Sequence, residues 1–257
     1  MSDAERMHEG LCTVAERLAG ALEDARFERR EGYELLVFPV FPLPSFNGIW
    51  AETDAAADDL ERLDAEFEEM GLPFGVTVRQ GRTPTVEERA RSLRLTAEIR
   101  TPGMVTTPEE LQVPDTELDV LRINTADGLA QALAVAAAGF VIPAELLAAL
   151  YLLDVAELDG IEYYLARLQE RDVCTAIGYT VDASVGIFNV ATPPEFRRRG
   201  YGSIVTAHAV RAGFDAGAEF AYLQSSALGE SVYKRLGFRE VDVYSVLMRE
   251  PEVSASS

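Results

Sequence analysis

A short basic segment that contains two glycines has the residue types needed to bind a phosphate group. Residues 185–202 read VGIFNVATPPEFRRRGYG, in which Arg197, Gly200 and Gly202 form the pattern Arg-x-x-Gly-x-Gly. The apolar and β-branched residues before it predict a strand that ends at 190–192, where two prolines stop the ladder. An amphipathic helix is predicted to begin directly after the arginines, at Gly200.

This order of strand, glycine loop and helix meets the requirements for binding a pyrophosphate. Glycines let the backbone come close to an anion, and the first-turn N–H groups and the dipole of a helix favour negative charge. Arg197, Arg198 and Arg199 add local positive charge to a chain that has 23 Lys and Arg against 43 Asp and Glu. The six residues alone are equally typical of a basic loop that caps a helix. The flanking sequence is therefore needed to distinguish a phosphate-binding loop from such a cap.

A second informative segment lies downstream and reads AYLQSSALGESVYKRLGF at 221–238. It predicts a strand, a loop of small residues and a short helix in which Tyr233 stands four residues before Gly237 and Phe238. A phenol in such a place can donate a proton to a leaving group. The alternative is a tyrosine that packs in the core with its hydroxyl at the surface.

With both segments in this order, residues 118–250 resemble the GNAT superfamily of N-acetyltransferases. The acetyl-CoA motif of that family is R/Q-x-x-G-x-G/A after a central strand, and a tyrosine shortly before Gly-Phe follows it. The resemblance implies acetyl-CoA as the cosubstrate, with its pantetheine arm and thioester along backbone groups of Val190, Ala191 and Thr192. It places Tyr233 near the sulfur, and it assigns the pyrophosphate to Arg197, Arg198, Arg199, Gly200, Tyr201 and Gly202.

The implied reaction is direct attack of an amine on the thioester carbonyl, without a covalent enzyme intermediate. The sequence does not single out the base that removes the ammonium proton. Glu162, Asp182 and Glu230 are candidates because they lie near predicted strand or loop edges, although each also fits a solvated surface carboxylate. His208, on the predicted helix, fits a surface or hydrogen-bonded histidine better than a catalytic one.

The predicted elements describe an α/β protein in two lobes, with a mixed central sheet flanked by helices. In the C-terminal lobe we expect strands at 118–123, 161–168, 173–181, 185–191, 220–224 and 241–248, and helices at 126–138, 144–155, 200–216 and 230–236. In the N-terminal lobe we expect helices at 1–25, 58–70 and 86–93, strands at 33–40, 74–78 and 95–100, and a shaped loop at 41–50. His8 is expected in a frayed helix end. Asn47 and Trp50 either line an acceptor cleft or belong to an ordinary turn.

The domain boundary is predicted in the low-charge segment 101–114, which contains three prolines and has no clear period. The predicted domains are therefore residues 1–117 and 118–250, and residues 251–257 are predicted to be a disordered tail.

An internal similarity accompanies this division. Residues 70–104 and 216–248 share the order helix end, strand, small-residue loop, helix and strand, which indicates either a duplication or a coincidence. If it is a duplication, the N-terminal lobe is a degenerate GNAT-like copy. It has no Arg-x-x-Gly-x-Gly between Val40 and Asp58, so no phosphate loop is expected there.

The composition excludes several classes of partner. A net charge of -20 repels nucleic acid and anionic membrane surfaces and favours cationic small molecules, although it also serves general solubility. Cys12 and Cys174 form no Cys-x-x-Cys pair, so we expect reduced thiols and no metal site. The N-terminus lacks the basic and apolar regions of a signal peptide, and no apolar stretch reaches the roughly 20 residues of a membrane helix. We therefore expect a cytoplasmic protein.

The main hypothesis is an N-acetyltransferase that acetylates the primary amine of a small and cationic acceptor. A second hypothesis is a non-catalytic acetyl-CoA-binding sensor or regulatory module, which would keep the same phosphate loop. A third, a structural protein that retained only the fold, is disfavoured by the intact glycines. The sequence leaves open the acceptor, the acyl-chain length and the oligomeric state, for which a homodimer is one option.

Overall fold

The computed structural model describes residues 1–250, and the tail predicted at 251–257 lies outside them. The chain divides into two compact units. Unit 1 consists of Met1–Leu22 and Pro102–Val241, and unit 2 consists of Glu23–Thr101 and the segment from Asp242 onward. Each unit has its own hydrophobic core.

The elements are numbered in chain order. The α-helices of the described residues are α1 (Asp3–Ala21), α2 (Leu60–Glu69), α3 (Pro84–Ser92), α4 (Ala126–Phe140), α5 (Leu153–Ala156), α6 (Tyr201–Asp215) and α7 (Glu230–Arg235). Their strands are β1 (Arg26–Arg30), β2 (Tyr33–Val37), β3 (Asn47–Ala51), β4 (Gly75–Arg79), β5 (Ala97–Thr106), β6 (Asp119–Ile123), β7 (Ile161–Leu168), β8 (Arg171–Val181), β9 (Ser184–Ala191), β10 (Phe220–Gln224) and β11 (Arg239–Met248).

Unit 1 contains a mixed sheet with the strand order β5-β10-β9-β8-β7-β6. β9 and β10 run parallel, whereas the other neighbouring pairs are antiparallel. Helix α6 packs on one face, because Val185 and Ile187 of β9 share a core cluster with Val205 and Ala209 of the helix. Helices α1 and α4 also pack on β8 and β9.

Helices α1 and α4 lie on the face opposite α6. A Cβ atom added at Gly10 of α1 would meet the Tyr222 ring at 2.7 Å, and one added at Gly139 of α4 would meet the Ala191 Cβ at 2.8 Å. The small residues therefore let both helices approach the sheet closely.

Unit 2 contains the strand order β1-β2-β3-β4-β11. Here β3 and β4 are the parallel pair, and β4 pairs antiparallel with β11. Leu60, Leu63 and Phe67 of α2 are fully buried against Val76 and Leu247. Their spacing of three and four residues is the apolar stripe that predicts this helix.

The units do not coincide with the contiguous domains 1–117 and 118–250. The second half of β5 pairs with β10 in unit 1, and β11 pairs with β4 in unit 2. Each unit thus takes one strand from the other half of the sequence, and α1 belongs to unit 1. The reason is that strand pairing joins distant residues, whereas a boundary predicted from composition can only follow the chain.

The predicted linker at 101–114 begins with a strand. Its first residues, 101–106, are the second half of β5. Pro102 is compatible with this strand because its carbonyl, which accepts a hydrogen bond from the Ser225 N–H at 2.8 Å, is the group that pairs. Strand β1 is not predicted at all, since its sequence RFERR has no run of apolar residues.

The prediction of a single helix at 144–155 is wrong. The segment forms two 3-10 turns, Ala144–Leu146 and Ala148–Tyr151, followed by the single turn α5. Leu152 has an extended backbone, with φ -70 and ψ 148, which separates the last two turns. A continuous apolar run therefore did not produce a continuous helix.

Asn47 and His8 both have structural roles. Asn47 begins β3 inside the loop predicted at 41–50, and its side chain donates to the carbonyls of Phe41 at 2.6 Å and Leu43 at 3.1 Å. It shapes the turn, which is the second of the two alternatives above. His8 is buried in α1 with its Nε2 3.5 Å from the Cys12 Sγ, so the expectation of a frayed end is wrong.

The fold class predicted from the sequence is confirmed, because helices flank a mixed sheet in each unit. Among residues 1–250, no helix is both long enough and apolar enough to cross a membrane.

The buried tyrosines of unit 1 make its stability sensitive to alkaline pH. Burial raises the pKa of Tyr233 to about 12 and also raises the pKa values of Tyr151, Tyr163, Tyr164 and Tyr179. A folded-state pKa above the unfolded value of about 10 stabilises the fold fully below pH 10, and this contribution is lost as the pH rises through the folded pKa. We expect the free energy of unfolding to change little up to pH 9.

Above pH 10, the free energy of unfolding should fall by about 1.4 kcal/mol per pH unit for each such tyrosine. Urea unfolding at a series of pH values, with tyrosinate absorbance followed in parallel, measures both quantities. Tyrosinate formation near pH 10 in the folded protein, without loss of stability, would contradict the expectation.

Candidate active site

The two parallel strands of unit 1 separate along their length. Their register covers only Ser184–Gly186 of β9 and Phe220–Tyr222 of β10. Beyond this point β10 continues to pair with β5, while β9 continues with β8 as far as Ala191. The edge of β9 that faces β10 therefore has no strand partner in this register from Ile187 onward, and its backbone groups can bond to a ligand.

A β-bulge lies in the separated part of β9. Thr175 of β8 pairs with Ala191 and Ile177 pairs with Phe188, so one residue of β8 opposes both Asn189 and Val190. Asn189 has a left-handed backbone with φ 48. A bulge of this kind redirects the side chains that follow it and is common next to active sites.

The loop after β9 brings the predicted phosphate-binding residues to the end of that strand. Arg198 and Gly200 have positive φ values of 61 and 83, and Gly200 is the N-cap of α6. No side chain caps the first turn of α6 within the described residues, so its N–H groups remain available. A Cβ added at Gly202 would lie 3.7 Å from the Thr192 Oγ1 and 3.8 Å from a methyl group of Val190.

Arg197 makes contacts that the sequence did not predict. Its guanidinium donates to the carbonyl of Thr192 at 3.1 Å and to the carbonyl of Gly139 at 2.6 Å. It therefore ties the end of β9 to the last turn of α4, where the helix dipole favours a cation. Arg199 donates to the carbonyl of Glu195 at 3.3 Å.

Gly139 is a site residue that the sequence analysis missed. A Cβ there would lie 2.9 Å from the backbone nitrogen of Thr192. Only a glycine lets α4 approach the end of β9 this closely. A glycine near the end of an otherwise alanine-rich helix was the available signal, but it did not indicate a partner strand.

Tyr233 lies on the α6 side of the sheet. It packs against the unit 1 core, and its ring is 6.0 Å from that of Phe238. Its pKa is raised to about 12, chiefly by burial and to a smaller extent by the Cys174 thiol, while the Thr206 hydroxyl lowers this pKa. Tyr233 and Val190 pack against the same core cluster, which contains Cys174, and Thr192 donates to the Cys174 Sγ at 3.2 Å.

Cys174 has the properties of a structural thiol. It is fully buried, and burial raises its pKa to about 12. The thiol therefore stays protonated at neutral pH, which makes it a poor nucleophile.

The three candidate bases are differently placed. Asp182 lies in the turn between β8 and β9, so about eight residues of strand, or roughly 25 Å, separate it from Val190. Glu230 pairs with Lys234 at 2.5 Å. Glu162 pairs with Arg122 at 2.8 Å and accepts a hydrogen bond from the hydroxyl of Tyr164. Asp182 is thus too distant to act at the end of β9.

His208 has the location expected of it. Its imidazole is partly exposed, lies 5.3 Å from the Tyr164 ring between centroids, and has a pKa lowered by burial. In unit 2, the segment between β3 and α2 is a 3-10 turn, Asp54–Asp59, in place of a glycine loop. Asp54 accepts from the Thr85 N–H at 2.8 Å at the start of α3, so an acidic side chain caps that helix.

Comparison with known proteins agrees with this geometry. Residues 142–238 match the model of the acetyltransferase (GNAT) family. The fold resembles a GCN5-related N-acetyltransferase from Kribbella flavida, with a TM-score of 0.70 and 18% identity over 95% of this chain and 96% of that one.

Two other solved structures share the fold. One is a functionally unknown conserved protein from Staphylococcus epidermidis (TM-score 0.67, 14% identity, 88% of this chain and 94% of that one). The other is a GCN5-related N-acetyltransferase-like protein from Streptococcus suis (TM-score 0.57, 14% identity, 96% and 100%). No curated protein matches the sequence. The resemblance to the GNAT family inferred from the sequence is confirmed for residues 142–238, and the chain shares its fold with these solved structures.

We expect Arg197 to contribute to stability through its two carbonyl contacts. Arg197→Met keeps the length of the side chain but removes both hydrogen bonds, so the free energy of unfolding should fall by about 1–2 kcal/mol. Arg199→Met is the matched control, since it removes only one exposed bond and should change stability by less than about 0.5 kcal/mol. Urea unfolding of both variants gives the comparison. Equal losses would show that the contacts of Arg197 are not the cause.

Proposed function

We propose that this protein transfers the acetyl group of acetyl-CoA to a primary amine of a small acceptor. One observation carries the proposal: the separated edge of β9, the uncapped glycine start of α6 and a protonated Tyr233 border the same core cluster of unit 1. The family match at 142–238 covers all three.

The start of α6 is assigned to the pyrophosphate. Backbone N–H groups at Gly200, Tyr201 and Gly202 and the helix dipole favour the anion. Arg198 and Arg199 add positive charge, whereas Arg197 acts by holding the loop to the end of β9. We assign the pantetheine arm and the thioester to backbone groups along the unpaired edge, at Val190, Ala191 and Thr192.

The reaction then needs few groups from the protein. The amine nitrogen attacks the thioester carbonyl carbon, the carbon–sulfur bond breaks, and the electron pair leaves with the sulfur. Backbone N–H groups of the β9 edge stabilise the oxyanion. The ammonium loses one proton to a base that we leave unassigned before the nitrogen attacks, and the nitrogen loses a second proton to water as the amide forms. The departing thiolate takes up one proton from water, so the products are the N-acetylated amine, the thiol of CoA and one released proton.

Tyr233 has the protonation state that a donor requires. With a pKa of about 12, its hydroxyl is neutral throughout the physiological range. A thiol has an ordinary pKa of about 8.5, so the phenol stabilises the departing sulfur mainly by donating a hydrogen bond. Complete proton transfer at rest would be unfavourable.

The net charge of -20 supports a cationic acceptor, because it concentrates cations near the protein at low ionic strength. The expected reduced thiols support a cytoplasmic location. No metal is needed for the proposed steps. A non-catalytic acetyl-CoA sensor is the alternative, and release of free CoA in the presence of amines separates the two.

Gly202 provides a test of cofactor binding. Gly202→Leu would fill the space in front of Val190 and Thr192, so calorimetry should show loss of CoA binding, while the wild type binds one CoA per chain. Gly202→Ala is the matched control, because the family motif accepts alanine here and a Cβ meets nothing closer than 3.7 Å. Undiminished affinity in the leucine variant, or two CoA molecules per chain in the wild type, would contradict the assignment.

Tyr233→Phe tests the chemical step. The ring and its packing remain, so the melting temperature and the affinity for acetyl-CoA should change little. Turnover should fall on the order of a hundredfold, as is typical for loss of a hydrogen-bond donor that stabilises developing charge. Steady-state kinetics, with a melting curve as control, distinguishes a role in the chemical step from a role in packing. A variant that keeps most of its kcat would show that the hydroxyl has no role in the chemical step.

A further inference from the structure

Among the buried polar atoms that have no hydrogen-bond partner within residues 1–250, two belong to neighbouring side chains. One is the hydroxyl of Tyr151, a residue that is 6% exposed, and the other is the Nδ2 atom of Asn189. A buried donor without a partner destabilises a fold, and native proteins keep such groups mainly where a ligand or water completes them.

The two side chains are neighbours. The Asn189 amide faces the Tyr151 hydroxyl and partly opposes the rise that burial causes in the pKa of that phenol, but the two groups do not reach hydrogen-bond distance and geometry. Asn189 is also the bulge residue of β9, directly before Val190, where we place the thioester. The pair therefore lies beside the proposed reaction centre.

The fold holds Tyr151 in this position. The hydroxyl of Tyr163 donates to the carbonyl of Leu150, the residue before it, and the rings of Tyr151 and Tyr163 are 5.5 Å apart. Tyr163 thus satisfies its own hydroxyl internally and fixes the turn, while the hydroxyl of Tyr151 is left for another partner.

The chemistry of the two groups describes their partner. An amide nitrogen only donates, so it requires a lone pair, whereas a phenol both donates and accepts. An amine that attacks a carbonyl must keep its own lone pair free, but it can donate an N–H to the phenol oxygen. The Asn189 amide must then donate its hydrogen bond to a different atom of the acceptor. An oxygen close to the amine can accept this hydrogen bond.

We propose that Tyr151 and Asn189 bind the acceptor, with the phenol oxygen taking an N–H of the amine and the amide donating to a hydroxyl or carbonyl oxygen beside it. This inference rests on the proposed function. It narrows the acceptor to amines that carry a neighbouring oxygen, such as amino alcohols, amino sugars and amino acid amides. Both residues are positioning residues, because neither takes part in bond making.

The test uses two pairs of amines that differ in a hydroxyl next to the amine-bearing carbon: ethanolamine with propylamine, and 2-amino-1-phenylethanol with 2-phenylethylamine. The wild type should acetylate the hydroxylated member of a pair with a kcat/KM at least roughly tenfold higher, because a site built to bond a hydroxyl discriminates against its loss. Asn189→Gly removes the amide and keeps the left-handed backbone. It should abolish that preference.

Tyr151→Phe should raise the KM for the amine roughly threefold to tenfold, with a smaller change in kcat and in the KM for acetyl-CoA. Its melting temperature should not fall, because no protein hydrogen bond is lost. Tyr179→Phe is the matched control, because this tyrosine is 1% exposed and its hydroxyl also lacks a hydrogen-bond partner in the described chain. It pairs with Gly186, away from the bulge, and its ring lies 6.0 Å from the guanidinium carbon of Arg17. Its loss should leave the KM for the amine unchanged.

The outcomes separate the two proposals. If the wild type transfers acetyl groups to none of a wider panel of amines, the proposed function fails and this inference fails with it. If it does transfer them but shows no preference within the pairs, or if Tyr151→Phe lowers the melting temperature and leaves KM unchanged, this inference alone is overturned.

Discussion

The separation of β9 from β10 is the constraint on which the rest of unit 1 depends. Unpaired backbone groups inside a sheet cost stability, so such an edge persists only where other contacts hold it open. Here β10 is held by β5 and β9 by β8, and the bulge at Asn189 breaks the regular register. Arg197 and the close approach of Gly139 then fix the free end of β9.

The strands that border each parallel pair come from the other half of the sequence. β5 lies beside β10 in unit 1, and β11 lies beside β4 in unit 2. A division of the chain at 117/118 would leave each half without this strand. The order of elements in 70–104 and 216–248 is nevertheless the same, as the internal similarity predicts. That the two segments arose by duplication stays a prediction.

The buried polar groups of unit 1 fall into two classes. Most have an internal partner, as the hydroxyl of Tyr163 has in the carbonyl of Leu150 and that of Thr175 has in the carbonyl of Tyr164. The Tyr151 hydroxyl and the Asn189 amide belong to the smaller class that has no such partner in the described chain, and these two lie next to each other beside the proposed reaction centre. The two unsatisfied groups define a position for the acceptor amine, which the net charge cannot do. Charge acts over the whole surface, whereas these hydrogen-bonding groups act at one place.

The sequence by itself determined the mixed α/β class, the glycine start of α6 and the tyrosine before Gly237. These features depend on local chemistry: periodicity sets the elements, and a glycine loop before a helix exposes N–H groups wherever it occurs. Tertiary structure alone decided the exchange of β5 and β11, the bulge at Asn189 and the interruption of the helix expected at 144–155. It also turned Arg197 towards two carbonyls and left Tyr151 without a partner, because such contacts join residues far apart in the chain, and no spacing along the sequence records them.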